Sequence, residues 1–154
     1  MISPATPDDI PDLAQMLRGL NALHARHLPE RFHDTGSDDQ LRGFFRDRMG
    51  QGAQILVYRT EGVARGYLLW LGQERAETML ERAGAQAVLD HIYVAPGWRR
   101  RGIGGRLIRR FEAEARAAGH AMWLTRVHSF NRASLALMQR AGADPMVQVL
   151  AKPL

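Results

Sequence analysis

The stretch Leu89–Ile108, LDHIYVAPGWRRRGIGGRLI, decides how the chain is read. Its first half continues an apolar run from Ala87 and Val88, and such near-continuous apolar character marks a strand buried on both faces. Its second half sets Arg99, Arg100 and Arg101 directly before Gly102, Gly104 and Gly105. A helix opens there, with Leu107, Phe111, Ala115 and Ala118 on one face and a stop at Gly119. A helix N-terminus exposes unpaired N–H groups and a partial positive charge, so phosphate binds there readily. Glycines remove side chains that would hold an anion off the backbone, and arginines add charge-assisted hydrogen bonds. The layout predicts a pyrophosphate cradle. Two familiar nucleotide motifs do not fit it: no Gly-Lys-Ser/Thr follows the loop, and Leu107 stands where a dinucleotide fingerprint needs its third glycine.

The 154 residues fit a single domain, 1–154, with enough chain for a real core. Apolar runs such as ILVY and YLLWL are far short of the ~20 residues of a membrane span. The N-terminus MISPATPDDIP shows no basic region followed by an apolar stretch, so no signal peptide and a cytoplasmic location are expected. Without cysteine, disulfides, thiol catalysis and thiolate-bound zinc are excluded. His24 and His27 lie three apart on a helix with no carboxylate at a supporting spacing; they read as solvated histidines near a helix end, and no metal is expected. Charge is divided unevenly. Residues 1–86 hold 10 Arg against 12 acids, whereas residues 87–154 hold 10 Arg and Lys152 against 4 acids, so the net +5 sits in the second half. The two halves want different partners.

Along the chain, a short first strand leads to Thr6 as a cap with Pro7 behind it, then to an apolar helical face of Ile10, Leu13, Leu17 and Leu20 ending near Ala25. Ser37 and Gln40 form a capping box for a second helix running to about Met49. AQILVYR and GYLLWL read as a hairpin across TEGVAR. The charged loop GQERAETMLERAG is expected to carry a short helix in its middle. After the cradle helix come a strand AMWLTRV, a last helix NRASLALMQRAG ending at Gly142, and a final strand MVQVLAK. The order βααβββαβαβ predicts a mixed α/β sandwich around one sheet.

Arg99 to Gly104 satisfies Arg/Gln-x-x-Gly-x-Gly/Ala and resembles the acetyl-CoA-binding motif of the GNAT superfamily of N-acetyltransferases. The connection through Pro96 resembles the family's strand, short Pro-containing link, loop and helix, and NRASLALMQRAGA resembles its last helix. The resemblance implies the GNAT acyl-CoA N-acyltransferase fold, an α/β (α+β) architecture with a mixed, mostly antiparallel sheet, a splay between strands four and five, and helices on both faces. It implies acetyl-CoA as cosubstrate. Backbone groups of Ile92 and Val94 would pair with the pantetheine arm, the amides of Arg100, Arg101, Gly102, Ile103, Gly104 and Gly105 would hold the pyrophosphate behind Arg99, and Asn131 would contact the cofactor from the other side. Dimers are common in the family, and the final strand offers a second copy an edge.

The chemistry implied is direct attack of a primary amine on the thioester. An ammonium with a pKa near ~10.4 has no lone pair, so a base must take its proton. Asp90 is the candidate: two residues before Ile92 it shares that side chain's direction by strand alternation, with His91 pointing the opposite way. Similar polyamine acetyltransferases carry Glu there. His128 is the reserve base, with Glu74 behind it, and the amide of Ile92 or Val94 the oxyanion donor. Met138 stands where the family commonly has a tyrosine acid, leaving water or Tyr93 to assist the leaving thiolate. Glu30, Asp34, Asp38 and Asp39, with the acids of QERAETMLE, are expected to draw a cationic amine toward Asp90. A small-molecule primary amine is therefore expected as acceptor, with a small polyamine, an aminoglycoside or a basic amino acid suiting the charge. The alternatives are a protein N-terminus or lysine, a regulatory acetyl-CoA-binding module without turnover, and a nucleic-acid-binding domain. The last is disfavoured because aromatics do not interleave with the arginines.

Overall fold

In a computed structural model describing residues 1–154, five strands form one sheet in the order β1-β2-β3-β4-β5. They are β1 (Ile2–Pro4), β2 (Gln54–Thr60), β3 (Val63–Arg75), β4 (Gly84–Val94) and β5 (Trp123–Thr125). All neighbours are antiparallel except β4 and β5. Helices α1 (Ile10–His27), α2 (Asp38–Gly50), α3 (Ile103–Ala117) and α4 (Arg132–Arg140) complete the domain. No helix is long and apolar enough to cross a membrane.

The sheet separates two apolar layers. On one face Leu13 and Leu17 of α1 and Phe45 of α2 meet Ile55, Tyr67 and Leu69. On the other, Leu107, Ile108 and Phe111 of α3 meet Leu56, Leu68 and Leu89. Strand alternation divides β3 between them, with Tyr67 and Leu69 on the α1 and α2 side and Leu68 and Trp70 on the α3 side. The capping box of α2 forms as its sequence dictates: the Gln40 amide donates to Ser37 Oγ (3.2 Å) and the Ser37 amide to Gln40 Oε1 (2.8 Å).

Three segments differ from the sequence reading. The charged loop holds no helix; β3 and β4 extend into its two ends as a paired ladder, Gly72 to Arg75 opposite Ala87 to Gly84, with residues 76–83 connecting them, because cross-strand pairing satisfies backbone groups that one helical turn would leave open. Glu74 consequently lies within β3, opposite Ala85. The fifth strand contracts to Trp123–Thr125, where its pairing with β4 ends. The expected strand MVQVLAK does not form. No ladder partner meets it, and Met146, Val147, Val149 and Leu150 stand 68–90% exposed.

Candidate active site

The early end of β5 opens the site. β4 and β5 pair only at Ala87–Leu89 and Trp123–Thr125, and beyond that point they separate, leaving one edge of β4 without a neighbouring strand. Which peptide groups face that edge follows from the register. The Ala95 amide bonds to Arg65 O of β3 (2.9 Å), and Tyr93 and His91 stand opposite Tyr67 and Leu69. In an antiparallel ladder alternate residues point their N–H and C=O groups at the partner. Ile92 and Val94 therefore turn theirs toward the gap. The Val94 carbonyl there accepts a hydrogen bond from Arg99 Nε (2.8 Å).

A β-bulge resets the strand just before this edge. Leu69 lies opposite His91 and Trp70 opposite Leu89, so Asp90 is the extra residue. The bulge reverses parity: Ala87 and Leu89 face the α3 side before it, and Ile92 and Val94 face that side after it. Asp90 is thereby turned toward α2, where Arg48 pairs with it at 3.4 Å. His91 lies on the same side, stacked on Phe44 of α2 (5.3 Å) and hydrogen-bonded through Nδ1 to Tyr67 Oη (3.2 Å). The simple alternation that aligned Asp90 with Ile92 and opposed it to His91 is thus corrected, because one inserted residue exchanges the faces of everything after it.

A cavity of about 360 Å³ occupies the gap, and Asp90, Ile92, His128, Asn131 and Met138 all line it. Residues from the strand end, the loop after β5 and α4 are brought together as expected. His24 and His91 line it as well, neither of which the sequence marked as part of a site. His24 is not a free surface residue: its ring meets Phe32 and His128 edge to face, and its Nδ1 bonds to Leu20 O (2.9 Å). His27 stacks on Phe130 at 4.5 Å. Both histidines serve a ring cluster that joins the end of α1 to the loop after β5. Glu74 and Tyr93 do not reach the cavity. Tyr93 lies on the α1 side of the sheet with the Arg99 guanidinium over its ring.

Electrostatics in the cavity favour neutral imidazole. Burial holds His128 below the ordinary histidine value, helped by the neighbouring charges of His24 and Arg31. His91 is likewise pushed down, by burial first and then by Arg48 and His24, against the opposing pull of Asp90.

The cradle beside the cavity has the predicted form, with two corrections to the glycines' roles. Arg100 (φ 61°) and Gly102 (φ 74°) both take left-handed conformations, which turn the chain into α3. The first backbone bond of the helix is Arg106 N to Gly102 O, so the amides of Ile103, Gly104 and Gly105 precede the intrahelical ladder. No side chain caps them and no acid lies in the first turn, which leaves these donors and the dipole for an anion. Gly104 serves packing as well: a Cβ there would sit 2.9 Å from Leu137 Cδ2 of α4. Gly105 faces open space apart from Arg109. Arg101 stacks on Trp98 and Arg106 on Tyr58, so the arginines are braced by aromatics around the loop. Asn131 caps α4 by accepting from the Ser134 amide (3.1 Å), which fixes its carboxamide at the cavity wall. The amides at the helix start and the edge peptide groups of β4, of which the Val94 carbonyl is taken by Arg99, are groups that could meet a pyrophosphate and an amide-bearing arm.

The fold is shared with several solved structures. A point mutant of a Bacillus halodurans protein superposes with TM-score 0.91 at 18% identity, covering 100% of this chain and 99% of that one. A ribosomal-protein-alanine N-acetyltransferase from Brucella melitensis biovar Abortus 2308 gives TM-score 0.71 at 19% identity, covering 100% and 99%. An aminoglycoside N-acetyltransferase in complex with CoA gives TM-score 0.71 at 17% identity, covering 100% and 93%. No curated protein matches the chain. The match that reaches beyond fold is to the acetyltransferase (GNAT) family over residues 17–143, a span that contains the bulged strand, the arginine-glycine cradle and the cavity between them; this chain belongs to that family.

Proposed function

We propose that this GNAT acetyltransferase moves an acetyl group from acetyl-CoA to the primary amine of a small molecule. The observation that carries the reading is the meeting of Asp90, His128 and the unpaired edge at Ile92 in one cavity beside the α3 N-terminus. Acetyl-CoA, when bound, supplies an activated acetyl thioester. The amides from Arg100 to Gly105 hold its pyrophosphate behind Arg99, Ile92 and Val94 pair with its arm, and Asn131 contacts it from the α4 side.

The protein's own groups then divide the work. Asp90, expected from the sequence to be the base, shares its charge with Arg48, which makes it better suited to docking the ammonium. His128 is neutral near pH 7 and half-exposed to the cavity, so it takes the proton once the amine is seated. The Ile92 amide stabilises the developing oxyanion. None of the three tyrosines lines the cavity, and Met138 is buried against the α3 layer. A thiol with a pKa near ~8.5 leaves as thiolate without a tyrosine donor.

The test is thiol release from acetyl-CoA, read with a thiol-reactive dye against pooled amines, amino acids and basic peptides. The chain has no cysteine to raise the background. Release with a small-amine pool is the expected result. Release with peptides alone would remove the small-molecule reading, and tight acetyl-CoA binding without release from any pool would remove turnover.

A further inference from the structure

The acceptor half of the cavity is walled by rings. His24 of α1, Phe32 of the following loop and His128 beyond β5 meet pairwise edge to face, with centroids 5.2–5.4 Å apart. Behind them Phe130 lies parallel to both His27 (4.5 Å) and His128 (5.5 Å), which locks the wall between two loops and a helix. Phe32 and His128 both face open volume, because that cavity ends on them.

Acids are scarce on the same wall. Asp90 is the one carboxylate lining the cavity, and Arg48 approaches one of its oxygens at 3.4 Å, which leaves room for a single ammonium at the other. The acids that the sequence offered for drawing a cation lie elsewhere: Asp38 is bound to Arg18 at 2.7 Å, and Glu30, Asp34 and Asp39 are solvent-exposed outside it. Positive groups are nearer. Arg126 lines the cavity and the Arg31 guanidinium lies over Phe32 at 5.4 Å.

These two facts select between acceptor classes. An ammonium leaving water needs a counter-charge, and a second or third ammonium would find none here. A flat ring gains offset or edge contacts with every ring of the wall, and one ammonium is met by Asp90. Resting on the small-amine reading above, we propose that the acceptor is a monoamine with a flat aromatic body, its ring against Phe32, His24 and His128 and its amine toward Asp90, and that polyamines and aminoglycosides are poor acceptors.

The experiment is calorimetric binding to the CoA-loaded protein, with 2-phenylethylamine, 1,4-diaminobutane and kanamycin as probes, followed by acetyl transfer to each. Phenylethylamine is expected to bind about tenfold or more tightly than diaminobutane, a difference of ~1.4 kcal/mol. Phe32→Ala is expected to remove most of that difference while leaving CoA affinity unchanged. Tighter binding of diaminobutane or kanamycin, equal binding of all three, or no binding of phenylethylamine would overturn the proposal. Failure of transfer is read separately. Phenylethylamine bound as expected but never acetylated supports the aromatic site and sinks the transferase reading, whereas efficient acetylation of kanamycin sinks the aromatic site and supports transfer.

Discussion

On the proposed mechanism His128 and Asp90 divide at the level of single groups what the reaction needs, and they are expected to respond differently to substitution. His128→Gln removes the proposed base and is expected to lower kcat/KM about 10²-fold, the usual scale for a general base. Asp90→Asn is expected to act mainly on KM for the amine. In the intact protein the acid limb of the kcat/KM profile is expected to belong to His128. Because burial, His24 and Arg31 hold it below 6.5, activity is expected to fall only as pH drops through a midpoint under that value. A profile with its midpoint above 6.5, or one unchanged by His128→Gln, would acquit this residue. The cradle glycines differ in kind. Gly102→Ala forces a side chain into φ 74° and is expected to destabilise by ~1–2 kcal/mol and weaken acetyl-CoA binding, whereas Gly105→Ala, facing near-open space, should leave stability close to that of the parent. Thermal melts and cofactor titration of both variants make the comparison.

At the scale of elements, α3 links the proposed acetyl-CoA cradle to the core. Its N-terminal amides form the cradle, and its buried face ends in Phe111, fully buried and packed on Trp70 and Trp123 at 5.4 and 5.9 Å. Phe111→Ala is expected to cost ~3–5 kcal/mol by denaturant unfolding and to reduce acetyl-CoA affinity with it, since the cradle is only as fixed as its helix. α2 has a separate anchor in its capping box, so Ser37→Ala is expected to cost ~1 kcal/mol. Cofactor affinity should survive that change, because α2 lies across the sheet from α3. The capping box, the hairpin and the α3 face from Leu107 to Ala115 were legible in the sequence, since each rests on neighbours a few residues apart, whereas Ala118 falls beyond the helix end and is exposed. The absent final strand was not, for a strand needs a partner edge and no sequence window shows one.

For the molecule as a whole, pH acts on stability through the groups that folding perturbs. His91 and His128 are both held below 6.5 in the folded state, so once pH falls below 6.5 the unfolded chain binds more protons than the native one. Stability should therefore decline from neutral pH downward, and the decline levels off once the native imidazoles are protonated too. Asp9 adds a second descent. Burial alone would raise it, but the Arg59 guanidinium and the Thr6 groups outweigh burial and hold it below its usual 3.8. Its contribution is complete above that value and lost as pH falls through the lowered one. Urea midpoints at pH 7.5 and 5.5 check the first descent; a midpoint that is equal or higher at pH 5.5 would contradict it.

The sequence by itself determined the family, the four helices and the first five strands, because these are written in short-range patterns: an arginine-glycine run at a helix start, a capping box, apolar residues at helical spacing, apolar strand runs. It also named Asp90, Ile92, His128 and Asn131, which the fold does bring to one cavity. Only the tertiary structure decided how they face one another. One bulge residue in β4 reversed the direction of every later side chain, and that insertion depends on how β3 pairs with it. The ring-lined wall of the cavity was likewise decided by packing, since His24, Phe32 and His128 meet only when three separate segments fold together. Acids that are neighbours in sequence were carried off to solvent and to Arg18 by the same packing, because burying the apolar faces of α1 and α2 fixes where the loop between them lies.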